Sequence, residues 1–392
     1  MNIPVIVAAV RTPVGTLGGG LKSVPATLLG SLVIKEALAR CRVPSDTVDL
    51  VIMGNVIQAG LGQNPARQAG IGAGLPVTVP ALTVNKVCGS GLEAVMIGAD
   101  RIRTGAASIV VAGGMENMSR APYLLQQARA GYRLGDGVLV DAVLRDGLCD
   151  AYSNDHMGRL TDRLARELGV SRAMQDEFAV WSQQKCAAAV AAGRFTDEIV
   201  PVEAPQPKGP PLVISKDEFP KPATTVEILA KLKPAFCDDG TITAGNSSGI
   251  NDGAAALVLM SAQRAAALGL QPLAELVAQG SVGIEPAKMG IGPAPATQQA
   301  LAQARLKIGD IDLVELNEAF AAQAVAVARM LAIPRECLNV NGGAIALGHP
   351  IGASGARILT TLLHEMRRRD ARRGLATLCI GGGEGLALIV KQ

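Results

Sequence analysis

The apolar run Ile109-Val110-Val111-Ala112 leads into Gly113-Gly114-Met115-Glu116, and near the other end of the chain Leu378-Cys379-Ile380 leads into Gly381-Gly382-Gly383-Glu384. A short apolar run stopped by glycines reads as a buried strand that ends in a turn. Two further pairs recur in the same order. Asp49-Leu50-Val51 resembles Asp312-Leu313-Val314, and Thr83-Val84-Asn85 resembles Asn339-Val340-Asn341, each pair lying ahead of a glycine-rich helix start. Three matches in register point to an internal duplication. Val5–Val10, Leu50–Met53, Ile109–Ala112, Leu313–Leu316 and Leu375–Ile380 read as buried strands that alternate with helical patterns. Leu92, Val95, Met96, Ala99 and Ile102 carry one such pattern. Ser23 and Pro25 look like the cap and first turn of another, which carries Leu28, Leu29, Leu32 and Val33. The expected fold class is α/β, with two similar halves facing each other.

Residues 119–248 have no counterpart in the second half. They hold eight of the nine aromatics, Phe320 being the other, and seven prolines between 201 and 222 that forbid regular helix there. An amphipathic helix is expected near Ala173–Ala192. The division expected is 1–118 plus 249–270 for the first half, 119–248 for an insertion, and 271–392 for the second half. Insertions on a rigid scaffold commonly carry substrate contacts.

Apolar residues make up 49% of the chain and aromatics 2%, which excludes disorder and an aromatic-stacking nucleic-acid reader. The net charge of +3 is spread along the sequence, without the dense basic stripe of a nucleic-acid binder. The basic run Arg367-Arg368-Arg369 reads as the solvated end of a helix, with cations at the negative end of its dipole. The seven cysteines are scattered and form no Cys-x-x-Cys, against a disulfide framework or a structural zinc site. The first residues carry no basic stretch before their apolar run, and no apolar run approaches membrane-spanning length. A cytoplasmic location, without membrane association, is expected. Neither a dinucleotide-binding nor a P-loop glycine pattern occurs.

Cys88 lies in Asn85-Lys86-Val87-Cys88-Gly89-Ser90-Gly91-Leu92, between a strand and a helix start. Unpaired N–H groups at a helix N-terminus favour a thiolate, and the same groups can hold an oxyanion. This reading makes Cys88 a nucleophile; the alternative is a small buried hydrophobe. His349, in Gly348-His349-Pro350-Ile351-Gly352, occupies the corresponding turn of the second half and could meet Cys88 as its base. Cys379 ends a buried strand before three glycines and is either a core residue or a second proton-transfer group. Asn317, and likewise Asn341, could fix a water or a carbonyl, or simply cap a helix.

Together these segments resemble the thiolase family over essentially the whole chain. Asn85–Gly91 is similar to its acyl-accepting cysteine motif. Asn317-Glu318-Ala319-Phe320, Gly348-His349-Pro350 and Cys379-Ile380-Gly381-Gly382-Gly383 are similar to its other three active-site segments. The resemblance implies a duplicated, layered αβαβα core with an inserted loop domain. It implies acetyl-CoA C-acetyltransferase activity of the biosynthetic type. Cys88 would be the acetylated nucleophile, His349 its base, and Cys379 the group that deprotonates a second acetyl-CoA. Asn317 would hold a water beside His349 for one oxyanion, and the backbone N–H groups of Cys88 and Gly381 would hold the other. Coenzyme A and acetyl-CoA are implied as substrates, with no permanently bound cofactor and no metal.

The resemblance also names a binding surface. Ala244, Gly245 and Ser248 match the pantetheine-contacting loop. His156 and Met157 match the pair found in the short-chain branch. Phe236, Met289 and Phe320 match residues lining the acyl and pantetheine channel. Lys221 stands where related enzymes often carry Arg, supplying charge without a planar stacking face. Segment 120–145 resembles a tetramerisation loop, which implies a homotetramer built as a dimer of dimers. Three rivals remain: a degradative 3-ketoacyl-CoA thiolase of broader chain length, a ketoacyl synthase, and a non-catalytic acyl-CoA or lipid carrier. Cys379 argues against the last two, since synthases generally carry His at that position and a carrier has no need of a second reactive thiol.

Overall fold

The computed structural model describes residues 2–392. Nine strands form one continuous path, β1 (Pro4–Arg11), β2 (Leu50–Gly54), β3 (Ala81–Val84), β4 (Ile109–Asn117), β5 (Asn251–Ser261), β6 (Ala274–Gly283), β7 (Leu313–Leu316), β8 (Arg373–Ile380) and β9 (Glu384–Lys391). Their spatial order is β7-β8-β9-β6-β1-β5-β4-β2-β3, with the two-residue strand Gly15–Thr16 pairing on β5 as a tenth. The path repeats itself. From β1 outward the pairings run antiparallel to β5, antiparallel to β4, parallel to β2 and parallel to β3. From β6 outward they run antiparallel to β9, antiparallel to β8, parallel to β7, and end in a parallel bridge between Val314 and Leu338. Only two residue pairs, Val5–Glu275 and Ile6–Ala274, join the two series.

Strand alternation sorts the apolar residues into layers. Val110 and Ala112 of β4, and Leu378 and Ile380 of β8, face a shared central cluster. That cluster is filled by α2 (Ser90–Arg103) and α7 (Ser354–Arg369), through Leu92, Val95, Leu359 and Leu362. Ile109 and Val111 face the other way, onto α1 (Ala26–Cys41). On the far side Leu375 and Cys379 face α5 (Pro293–Ala304) and α6 (Ala321–Met330). Helix, sheet, helix, sheet and helix layers result. Strands covered on both faces read as unbroken apolar runs.

The two central helices touch at their N-terminal ends, and glycine permits it. A Cβ on Gly355 would lie 2.4 Å from the Leu92 nitrogen, and one on Gly91 would lie 2.9 Å from the Ala356 nitrogen. No side chain fits at such distances, so only glycine lets the helix starts cross this closely. The chain just ahead of each helix, carrying Cys88 and His349, is thereby brought to one place.

β4 and β5 are neighbours, as are β8 and β9, but their connections differ. The second is the tight turn Gly381-Gly382-Gly383; the first spans residues 118–250. This long connection contains α3 (Met157–Glu167), α4 (Arg172–Ala191) and a small hairpin of Tyr123–Leu124 with Val140–Asp141. A buried cluster ties it to β1: the Arg11 guanidinium, fully buried, donates to Glu198 (2.5 Å) and to both oxygens of Asp217 (2.7 and 2.9 Å). Between Val202 and Ile214 the proline-rich stretch forms short strands and no helix.

Two local expectations change. Helix α1 begins at Ala26 with Pro25 as its cap and no side-chain capping bond; Ser23 instead donates to the Pro205 carbonyl (3.0 Å). A long-range acceptor there outcompetes the local helix end. The basic run at the end of α7 is not merely solvated, because Arg368 and Arg369 both pair with Glu365 (2.6 and 2.5 Å).

Candidate active site

The turn carrying Cys88 is tight and strained. Val87 sits at φ 45°, a left-handed conformation that is an outlier for a β-branched side chain and costs about 1–3 kcal/mol. Its neighbours hold it there. Ser90 Oγ accepts from the Lys86 N–H (2.8 Å) and donates to the Val87 carbonyl (2.7 Å), while Asn85 Oδ1 accepts from the Val87 N–H (3.0 Å). Cys88 projects from this turn and is 5% exposed. The expectation of a resting thiolate does not hold. Burial pushes the Cys88 thiol up to about 11 and the Glu116 carboxylate adds to it, against the backbone N–H groups of Gly381 and Cys88 itself, which lower it. Desolvation outweighs the helix end, so Cys88 rests protonated and needs a base.

His349 lines the same cleft as Cys88. Gly348, at φ 103°, turns the chain, and the His349 N–H donates to Asn251 Oδ1 (2.9 Å) at the start of β5. Its Nδ1 lies 2.6 Å from Ser354 Oγ, and that hydroxyl donates to the Pro350 carbonyl (2.9 Å). With its proton so committed, Ser354 can only accept, which assigns the hydrogen to Nδ1 and leaves a lone pair on Nε2. Burial, helped by the Arg357 charge, brings His349 down to about 3, so the ring is neutral near pH 7. Asn317 Nδ2 lies 3.5 Å from Nε2. Asn317 is fully buried, and its Oδ1 meets no hydrogen-bond partner among the described residues.

Cys379, 2% exposed, ends β8; burial first, then the nearness of Cys88, pushes its thiol well above the ordinary range. Cys88, His349, Cys379 and Gly381 line a single cleft of about 360 Å³. The insertion, the turn just ahead of α6 and Met289 supply most of the remaining wall. His156, Met157, Lys221, Phe236, Ala244, Ser248, Met289 and Phe320 all face it. His156 stacks on Phe236 with ring centroids 4.4 Å apart, and Phe236 meets Phe320 edge-on at 6.2 Å. Burial lowers His156, which keeps it neutral, and its Nδ1 accepts from the Gly158 N–H (3.0 Å). Lys221 stands with its ammonium 5.1 Å from the Phe219 ring. Two expected residues are not on the cleft wall. Asn317 does not line it and meets the cleft only through His349 Nε2. Gly245 packs toward Leu229 and Leu232, where a Cβ would lie 2.4 and 2.7 Å from their methyls.

Several residues that sequence reasoning missed hold this arrangement. Asn251 and Ser354 orient His349. Glu116, fully buried and raised to about 7 chiefly by burial, accepts from Asn55 Nδ2 (2.9 Å), Val56 N–H (3.0 Å), Ile57 N–H (3.2 Å) and Gly352 N–H (2.9 Å). It thereby ties down the loop that follows His349. Glu318 does the same behind Asn317, accepting from Ser182 (2.7 Å), Asn339 (2.7 Å) and the Ile345 N–H (3.2 Å). Glu116 belongs to the repeated Gly-Gly-x-Glu signature and Glu318 follows Asn317 directly, so both carried a visible signal.

A buried thiol facing a neutral imidazole, beside a second thiol and two convergent N–H groups, can carry out acyl transfer through a covalent intermediate. Comparison with known proteins points the same way. Residues 4–263 match the family model "Thiolase, N-terminal domain" and residues 270–392 match "Thiolase, C-terminal domain". The chain is 58% identical to the acetyl-CoA acetyltransferase of Pseudomonas aeruginosa and 56% to that of Cupriavidus necator, in each case over all of both chains. It is also 58% identical to an acetyl-CoA acetyltransferase of Escherichia coli, over 99% of this chain and 98% of that protein. The crystal structure of the Bacillus anthracis acetyl-CoA acetyltransferase superposes with a TM-score of 0.98 at 46% identity, covering 100% of this chain and 99% of that one. With its duplicated sheet, its glycine-bounded Cys88 turn and a match that runs from end to end, this chain belongs to the thiolase family.

Proposed function

We propose that the protein is an acetyl-CoA C-acetyltransferase that condenses two acetyl-CoA to acetoacetyl-CoA and CoA, and catalyses the reverse thiolysis. The observation that carries this reading is the meeting of Cys88, His349 and Cys379 on one cleft wall, with His349 neutral and its Nε2 unprotonated. His349 Nε2 takes the Cys88 proton as the sulfur attacks the acetyl thioester. Cys379 gives its proton to the departing CoA sulfur and becomes a thiolate. That thiolate then removes a proton from the α-carbon of a second acetyl-CoA. The carbanion attacks acetyl-Cys88; the C–S bond breaks, Cys88 recovers its proton from His349, and both thiols and the imidazole are restored. The α-proton is weakly acidic, so the enolate needs prearranged donors. We assign these to His349 with a water held by Asn317, and assign the acyl-enzyme oxyanion to the N–H groups of Cys88 and Gly381.

The insertion, 119–248, forms the CoA side of the cleft, set between the halves 1–118 plus 249–270 and 271–392. Its His156, Met157, Phe236, Ala244 and Ser248, together with Met289 and Phe320, serve the pantetheine arm, and Lys221 the nucleotide end. A homotetramer in the cytoplasm completes the reading. Among the described residues no helix is long and apolar enough to cross a membrane.

Product analysis with acetyl-CoA as sole substrate tests the reaction: acetoacetyl-CoA and free CoA should appear together. Cys88→Ser should form no acetyl-enzyme. Cys379→Ser should still acetylate Cys88 but not condense, and condensation at the wild-type rate in that variant would refute the role of Cys379. Strong turnover of long-chain 3-ketoacyl-CoA would refute the short-chain assignment.

A further inference from the structure

Two walls of the cleft come from separate parts of the insertion. The start of α3 presents His156 and Met157, and segment 235–249 presents Phe236, Ala244 and Ser248. One buried carboxylate joins them. Asp162, in the middle of α3 and 4% exposed, accepts through a single oxygen from the Thr241 N–H (2.7 Å), the Ile242 N–H (3.1 Å) and the Thr241 hydroxyl (3.2 Å). Its other oxygen, Oδ2, is buried and meets no hydrogen-bond partner among the described residues. The turn comes so near that a Cβ on Gly240 would lie 2.6 Å from Oδ2.

Helix α4 adds a second attachment. Asn246 Nδ2 donates to Asp176 (2.8 Å), and Gln175 Nε2 donates to the Thr241 hydroxyl (2.8 Å). On its other side the segment bonds to the stretch that carries Phe320. The Ser248 N–H and hydroxyl both donate to the Ala319 carbonyl (3.0 Å each), and the Ala321 N–H donates to the Asn246 carbonyl (2.8 Å). These attachments reach the binding wall; none ends on Cys88, His349 or Cys379.

We propose that Asp162 is a positioning residue for acyl-CoA binding: it fixes segment 241–248 against α3, so that the wall made by Ala244 and Ser248 stands ready before substrate arrives, and it acts as a hydrogen-bond acceptor rather than as a charge. The proposal rests on the acyl-CoA reading given above. Three donors converge on one oxygen, so its removal leaves buried donors unsatisfied, while the partnerless second oxygen makes no contact that an amide nitrogen would forfeit. A wall that holds the long arm of the substrate, away from the reacting atoms, contributes uniform binding, whose loss raises KM and spares kcat.

Steady-state kinetics test this, using acetyl-CoA and a short acetyl thioester that lacks both the pantetheine and the nucleotide parts of CoA. Asp162→Ala should raise KM for acetyl-CoA about tenfold, the equivalent of one lost net hydrogen bond, with kcat held within about twofold. Its kcat/KM for the short thioester should match the wild type. Asp162→Asn, which keeps the acceptor, should stay within about threefold of wild-type KM, well inside one net hydrogen bond. A loss shared equally by both substrates, an unchanged KM, or Asp162→Asn as impaired as Asp162→Ala overturns the proposal. Should Asp162→Ala not fold, Thr241→Val removes only the hydroxyl bonds to Asp162 and Gln175. A rise in its KM for acetyl-CoA alone supports the proposal, and no rise overturns it. Wild-type protein that transfers no acetyl group refutes the functional reading instead, whatever the variants do.

Discussion

At the scale of single residues, the site is governed by burial more than by local charge. Cys88 stands just ahead of a helix, yet its thiol is pushed up to about 11, and His349 is brought down to about 3. The pair therefore rests as neutral thiol and neutral imidazole, and in the proposed reaction the proton moves only as the thioester is attacked. Alkylation of Cys88 by iodoacetamide should accordingly be slow at pH 7 and accelerate through pH 9–10; a rate that levels off near neutrality would show a resting thiolate instead. His349 also links stability to pH. Its folded pKa is depressed below the ordinary 6.5, so the unfolded chain binds the proton more readily between pH 6.5 and about 3. The contribution to stability is complete above pH 6.5 and is lost as pH falls through that window. Between pH 6.5 and 4.5 this amounts to ~2 kcal/mol. Chemical denaturation at pH 6.5 and 4.5 should show the wild type losing about that much more than His349→Asn, and an equal loss in both would contradict the assignment.

At the scale of elements, the site depends on two helices that begin almost in contact. Gly91 and Gly355 permit that crossing, and Ser354 and Leu92 lie beside it. Gly355→Ala would force its Cβ to within 2.4 Å of the Leu92 nitrogen, a backbone atom that cannot swing aside. Helix propensity alone favours the substitution by about 1 kcal/mol. Overpacking works against it, at about 1–3 kcal/mol or more, and should win. The expected outcome is a lower Tm together with slower acetylation of Cys88, read by mass spectrometry of the acyl-enzyme, because the helix starts carry both turns of the site. A variant with wild-type Tm and acetylation would show that the crossing has room to spare.

At the scale of the whole molecule, the repeated sheet carries the proposed catalytic residues and the long β4–β5 connection supplies much of the cleft wall proposed to bind CoA. That connection also carries the most exposed apolar surface. Leu134 is fully exposed, Val138 72% and Leu139 62%, on and beside the small Tyr123–Asp141 hairpin. Exposed apolar surface of this kind is costly in water and is what a contact with another protein surface would cover. In the proposed tetramer that surface is a second copy. Leu134→Lys combined with Val138→Asp should lower the mass measured by light scattering from four subunits to two, while acetyl transfer continues. An unchanged mass would place the assembly contact elsewhere.

Much of this was legible in the chain itself. The two Gly-Gly-x-Glu signatures and their matched strands announce a duplicated α/β core, because strand ends and glycine turns are local features. Cys88, His349 and Cys379 are legible for the same reason: each lies in a short glycine-bounded motif. The strand Asn251–Ser261 carries no alternation to mark it, since it is covered on both faces. Ala274–Gly283 is buried at every second residue from Ala274 to Gly280, but its alternating Ala, Leu and Ala are too small and too few to stand out from a helical or loop pattern. Asn251 and Asp162 escaped notice because their partners lie far away in sequence, and Ser354 because its bonds to His349 and Pro350, though near in sequence, exist only once that turn has formed. The protonation states belong to the same class. A helix N-terminus is written in the sequence and favours a thiolate, but the desolvation that overrides it depends on what packs around Cys88. The sequence by itself determined the repeat, the family and the candidate site residues Cys88, His349 and Cys379 that meet on one cleft. Only the tertiary structure decided which of those side chains are charged, how His349 is oriented and what holds the binding wall, because burial and long-range hydrogen bonds exist only once the layers have closed.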